Sequence, residues 1–326
     1  MKTKLLAAGL VSLASMAGAE VPVLTVLTYD SFATEGGPGP AVKAGFEKTC
    51  GCEVKYLTAG DGAAILARLK LEGANSAADV VVGLDTGLTA DASATGFFAP
   101  VVSPPNALPV PYSDPLFVPF DWGWFAFVYD KTKLAVPPGS LKELAASDLK
   151  IIIEDPRSST PGLGLLMWVK AAYGDGAAQV WADLADNIVT VTPGWSEAYG
   201  LFLQGESDLV LSYTTSPAYH LIAESDDSKA AARFSEGHYL QVEVAGQLVS
   251  SKQPKLAAEF LAYLTGPEGQ AVIPTTNWMY PANPATALPK GFDAMIRPET
   301  SLLFSAQEAF ETRAAAIVEW QTALSR

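Results

Sequence analysis

Short apolar runs alternate with helix-period segments along this chain, and that alternation constrains the fold more than any single residue. Residues 23–27 read as a buried strand, 41–47 as a helix and 53–57 as a second strand; a helix over 62–71, a strand over 79–83 and a helical stretch over 85–94 follow. This order produces a largely parallel sheet with helices on both faces. A proline-rich break then holds Pro104, Pro105, Pro109, Pro111, Pro115 and Pro119, and an extended run covers 122–129. A second series begins with a helix over 141–146, a strand over 149–153, helices over 161–172 and 177–184, and a strand over 188–191. It continues with a helix over 196–203 and a strand over 208–212, and the extended run 239–244 leads into helices over 254–264 and 305–324. The pattern predicts an α/β chain of two lobes joined by crossing strands, 20–119 with 246–326 forming one and 120–245 the other. Ligands of open α/β sheets lie at the carboxyl ends of strands, so the expected site is a cleft between the lobes.

The chain's 326 residues suffice for two domains, each burying its own core, and 49% hydrophobic against 17% charged residues excludes disorder. A net charge of −14 without any Lys/Arg-rich run excludes a nucleic-acid partner, because a phosphate backbone requires a basic face. Lys2 and Lys4 precede an apolar stretch from Leu5, and Ala17-Gly18-Ala19 forms a small-residue cleavage site. Residues 1–19 therefore read as a cleavable signal peptide and the mature chain as periplasmic, with no cysteine at the junction to carry a lipid. In that oxidising compartment Cys50 and Cys52, the only cysteines, are disulfide candidates. No histidine or third cysteine lies near them in sequence to complete a metal site.

Polar and aromatic residues gather at the strand exits. The first series ends its strands with Tyr29-Asp30-Ser31, Asp61-Gly62 and Asp85-Thr86; the second with Ser159-Thr160, Trp195-Ser196 and the run from Tyr213 to Ser216. Ser159, Thr160 and Ser216 precede helices and are expected to cap them, where free N–H groups also receive anions. Aromatic faces beside carboxylates suit a flat organic cation, each such contact giving ~0.5–2 kcal/mol. Trp122, Trp124, Phe125 and Phe127 alternate along one run and are expected in the core or at the lobe junction, whereas Trp195 beside Gly194 is poorly placed for a core. Catalysis is not expected: His220 and His238 adjoin no nucleophile motif, and residues 194–198 depart from G-x-S-x-G at the last position. Gly162 and Gly164 lack the third glycine of a dinucleotide loop. No cofactor and no resident metal are expected.

Several strings carry a family resemblance: Leu-Thr-Tyr-Asp-Ser-Phe at 27–32, Gly-Pro-Gly-Pro at 37–40, Val-Pro-Phe-Asp at 118–121, Ser-Thr-Pro-Gly-Leu-Gly at 159–164 and Gly-Trp-Ser-Glu-Ala-Tyr at 194–199. With 212–220 and Asn-Trp-Met-Tyr-Pro at 277–281, they resemble the thiamine-binding periplasmic proteins, substrate-binding components of bacterial ABC importers, over essentially the whole mature chain. The resemblance implies a type 2 periplasmic-binding-protein fold, thiamine, thiamine monophosphate and thiamine diphosphate as ligands, and an inner-membrane permease as partner. It implies ligand contacts at Asp61, Gly62, Ser159, Thr160, Trp195, Tyr213, Thr214, Thr215 and Ser216, with aromatic packing from Tyr29, Tyr219 and Trp278. Asp61 or Asp30 would answer the thiazolium, while Ser159, Thr160 and Ser216 would receive the hydroxyethyl end or its phosphate. Related ferric-iron proteins use adjacent tyrosines late in the chain; here Thr214 follows Tyr213, which leaves iron as the alternative cargo. A secreted hydrolase is the remaining alternative, to be recognised by a serine beside one histidine.

Overall fold

The computed structural model describes residues 21–325; the expected signal peptide lies outside them. Strands β1 (Val23–Thr28), β2 (Glu53–Thr58) and β3 (Val80–Asp85) alternate with helices α1 (Asp30–Ala33), α2 (Pro38–Cys50), α3 (Gly62–Glu72) and α4 (Thr89–Ala94). After the proline-rich stretch come β4 (Val118–Asp130), α5 (Leu141–Ala145), β5 (Ile151–Glu154), α6 (Thr160–Tyr173), α7 (Ala177–Leu184), β6 (Ile188–Thr192), α8 (Trp195–Leu203), β7 (Leu209–Tyr213) and α9 (Pro217–Ala223). The chain ends with β8 (Lys229–Ala231), β9 (His238–Gln247), α10 (Pro254–Thr265), α11 (Pro267–Thr276), β10 (Tyr280–Pro281), β11 (Ser301–Leu302) and α12 (Ala306–Leu324).

The strand order is β2-β1-β3-β9-β4-β7-β5-β6. β1 pairs in parallel with β2 and β3, and β5 in parallel with β6 and β7. Between these parallel trios stand β9 and β4, antiparallel to each other and to the trio each one adjoins. The alternation therefore yields two parallel units, as expected for an α/β fold, with an antiparallel pair inserted at their junction. β4 changes partner midway: Val118 to Trp124 face β9, and Phe125 to Tyr129 face β7. Trp122, Trp124, Phe125 and Phe127 are buried there, at the junction where the sequence placed them.

Buried on both faces, β3 consists entirely of inaccessible residues, and β5 likewise. Each Val, Leu or Ile so enclosed contributes about 1.5–3 kcal/mol of transfer free energy. Cys50 ends α2 and is disulfide-bonded to Cys52, with Gly51 between them at φ +60°, a left-handed turn that glycine enters without a Cβ clash. The last part of the chain reaches across both units: β11 pairs with the start of β9, and α12 packs on α7 and α6 and also on α4. Lys170 of α6 donates to Glu319 of α12 at 2.9 Å, and Arg313 of α12 pairs with Asp91 of α4.

Candidate functional site

The exits of β1, β2, β5, β6 and β7 converge on one cavity of about 380 Å³, a size that suits a small organic ligand (roughly 300–1,000 Å³). Tyr29, Trp195, Tyr199, Tyr213, Tyr219 and Trp278 supply aromatic surface, while Asp61 and Glu243 line it as carboxyl groups. No lysine, arginine or histidine is among its described lining residues.

Each ring is held from behind. The indole Nε1 of Trp195 donates to Ser212 Oγ at 2.8 Å, and Ser212 Oγ lies 2.7 Å from Ser216 Oγ. Tyr199 stacks on Trp195 with centroids 5.1 Å apart, and its hydroxyl lies 2.9 Å from His220 Nε2. The Tyr213 ring rests on Phe125, and Trp278 meets Tyr219 edge to face at 5.4 Å. Tyr29 packs against Gly83, whose φ of +104° and missing side chain are both required: a Cβ there would stand 2.2 Å from the Tyr29 ring.

Asp61 reaches from the first unit to the second. Its Oδ2 accepts from Ser159 Oγ at 2.8 Å and from the Trp195 N–H at 3.2 Å. The N-terminal ends of α6 and α8 therefore both address this one carboxylate, the charge that helix ends favour. Burial nevertheless pushes its pKa up to about 6, against the lowering effect of those bonds. A second cross-cavity bond runs from the Gly62 N–H to Thr160 Oγ1 at 3.0 Å. Asp30 is exposed and accepts from the Gly60 N–H at 3.2 Å; of the two expected carboxylates, Asp61 is the one in the cavity wall.

On the opposite side the Asn277 amide donates to Asp121 Oδ2 at 2.6 Å and to the Tyr29 hydroxyl at 2.9 Å. The Tyr29 hydroxyl donates to Glu243 Oε2 at 3.4 Å. Burial, and next the negative charge of Asp121, hold the Glu243 carboxyl well above the usual range. Burial does the same to Glu154, neither of whose oxygens has a hydrogen-bond partner.

Of the expected ligand contacts, Tyr29, Asp61, Thr160, Trp195, Tyr213, Ser216, Tyr219 and Trp278 line the cavity. Gly62, Ser159, Thr214 and Thr215 stand behind the wall: Ser159 is fully buried against Asp61, and the Thr215 hydroxyl faces Met279 Sδ at 3.6 Å. Helix capping also differs from expectation. Ser159 and Ser216 occupy N-cap positions without a side-chain cap bond, and Thr160 begins α6. The Ser159 hydroxyl is committed to Asp61, and Ser216 Oγ accepts instead from the Tyr213 N–H at 3.2 Å.

Gln241, Glu243, Tyr199, Asn277 and Met279 also line the cavity without having been singled out. The signal for two of them is visible afterwards: Gln241 and Glu243 alternate with Leu240, Val242 and Val244, so β9 has a polar face although nearly all of it is buried. Among the described residues neither histidine is hydrogen-bonded to a serine hydroxyl. His220 Nδ1 lies 2.7 Å from Glu224, and His238 accepts from the Phe234 N–H while its other ring nitrogen faces the Phe125 carbonyl. Among the described residues His220, Glu224 and Asp226 form one group with metal-ligand spacing, but both His220 nitrogens are engaged and Lys229 Nζ stands 3.6 Å from Asp226.

An α/β chain with crossing strands and a ligand-sized cavity at the strand exits has the form of a solute receptor. Residues 33–271 match the model of the bacterial extracellular solute-binding proteins, and this chain belongs to that family. It is 58% identical over 309 residues to the thiamine-binding periplasmic protein of Salmonella typhimurium, covering 94% of each chain. The solved structure of a periplasmic thiamin binding protein superposes with a TM-score of 0.92 at 55% identity, covering 98% of this chain and 100% of that one. Iron-bound HitA from Pseudomonas aeruginosa superposes over 93% of this chain and 99% of its own at a TM-score of 0.74 and 19% identity, a likeness of fold alone.

Proposed function

We propose that this protein is a periplasmic solute-binding protein that captures thiamine and delivers it to the permease of an ABC importer without chemical conversion. The observation that carries the reading is the cavity itself: six aromatic side chains and two carboxyl groups line it, with no basic group among the described lining residues. Aromatic faces attract a thiazolium and carboxylates balance its charge. The high identity to the thiamine-binding relative supports the same cargo. Thiamine monophosphate and thiamine diphosphate enter by placing phosphate at the ends of α6 and α8 in competition with Asp61. Residues 1–19 direct export. The first lobe comprises 20–119 with 246–326 and the second comprises 120–245, joined through β4 and β9.

Calorimetric titration of the purified mature protein with thiamine, its two phosphates and ferric ion tests this. Saturable one-to-one binding of thiamine is expected, with no site for ferric ion. Ferric binding without thiamine binding would sink the proposal.

A further inference from the structure

The floor of the cavity carries an arrangement that aromatic recognition leaves unused. β3, β9 and β4 lie side by side, and their register sets Asp85 opposite Glu243 and Glu243 opposite Asp121. Directly paired residues of antiparallel strands project from the same face. All three carboxyl groups are buried, Asp121 completely, and among the described residues none is in an ion pair. Only Glu243 of the three lines the ligand cavity.

Asp121 is fixed by the Asn277 amide at 2.6 Å, and Asp85 by the Gly87 N–H at 2.7 Å, with Arg313 near enough to favour its charged form. The strand register sets Asp121 directly opposite Glu243, and Asp121 Oδ1 is buried without a hydrogen-bond partner among the described residues. Two ionised carboxylates buried side by side repel each other, and one proton held by the pair removes that repulsion. The remaining groups facing Glu243 are the hydroxyls of Tyr29, beyond β1, and Tyr213, at the end of β7, both held protonated by burial. Among the described residues none facing the pair supplies a positive charge.

We propose that Asp121 and Glu243 share one proton in the ligand-free protein and release it to solvent when a cationic ring enters, so that capture of thiamine is coupled to proton release and the pair selects cations over neutral rings of the same shape. The inference rests on the thiamine reading above. A cation about 4 Å from a carboxyl in a protein-like dielectric shifts its proton equilibrium by roughly three powers of ten, enough to empty a shared proton near neutral pH. The proton passes to buffer base, and the second carboxylate charge it leaves behind is matched by the ligand.

Titration calorimetry of the native protein at about pH 8, in buffers of different ionisation enthalpy, counts the protons. Asp61 is ionised at that pH and does not contribute. About one proton released per thiamine is expected, and none for an analogue whose thiazolium is replaced by an uncharged ring. Glu243→Gln is expected to abolish the release and to weaken thiamine by about tenfold or more. The comparison of charged and neutral ligands needs no variant, so it decides the matter even if Glu243→Gln fails to fold. Thiamine binding without proton release, or equal release by both ligands, overturns the coupling alone. Absence of binding in every buffer overturns the thiamine reading and the coupling with it.

Discussion

Trp278 holds a backbone φ of +57° immediately beyond α11, where its N–H and that of Asn277 both close on the Ile273 carbonyl. This left-handed position after a helix usually belongs to glycine, and a side chain there costs roughly 1–2 kcal/mol. The cost is offset by what the indole does, since it projects into the cavity against Tyr219. Trp278→Gly removes both the strain and the ring. Its unfolding free energy is expected to stay within about 1 kcal/mol of the parent, while thiamine affinity falls by about tenfold, the loss of one cation–π face. Denaturant melts beside a binding titration check both, and unchanged affinity would take Trp278 out of the binding surface. Tyr29, Asp61, Trp195 and Tyr213 were legible in the sequence because strand–helix order alone puts them at carboxyl ends. Glu243 was not: it sits within an extended run, and nothing in that run says that its polar face covers a cavity rather than solvent.

At the scale of elements, α6 and α8 belong to one parallel unit and Asp61, the residue before α3, to the other. The carboxyl group between them is therefore a cross-link whose contribution changes with its protonation. Its pKa, raised to about 6 from the 3.8 of an ordinary aspartate, means that the folded form holds the proton more tightly than the unfolded chain. Its stabilising contribution is thus full below about pH 4 and lost as pH rises through about 6. Asp61→Asn should reduce the drop in unfolding free energy between about pH 4 and pH 7 by roughly 2–3 kcal/mol, measured by urea unfolding at both values. It should also raise the affinity for thiamine diphosphate relative to thiamine, because two helix ends lose their built-in anion. An unaltered preference would show that phosphate lodges elsewhere. Element boundaries were legible within a few residues wherever apolar periodicity was strong, as in α3 and α7. α11 was missed because Gly269 and Pro274 interrupt it, and Pro274 is tolerated only near the helix end. β8, β10 and β11 are too short to show alternation.

For the whole molecule, β4 and β9 are the two strands through which the units connect, and both contribute residues close to the cavity floor. Closure about such strands favours the ligand only by the difference in affinity between open and shut forms, so contacts must come from both sides. Tyr29, Asp61 and Trp278 approach from one side, and Thr160, Trp195 and Tyr213 from the other. Saturating thiamine is expected to lower the radius of gyration in solution scattering and to quench tryptophan emission through Trp195; superimposable scattering curves would count against closure. The two-unit plan was legible from the repeated alternation, but the antiparallel insertion was not, since no local pattern names a strand's distant partner. That insertion also governs the order in which the fold can be completed. Val80 of β3 pairs with Gln247 of β9, so as the chain is made from its amino end the first three strands appear long before the strand that covers their inner edge. Until then an apolar strand with unpaired backbone groups stands open, a template for pairing with other chains. No fragment that stops short of β9 contains a complete first unit, and the burden of keeping that edge unjoined falls on whatever holds the nascent polypeptide extended.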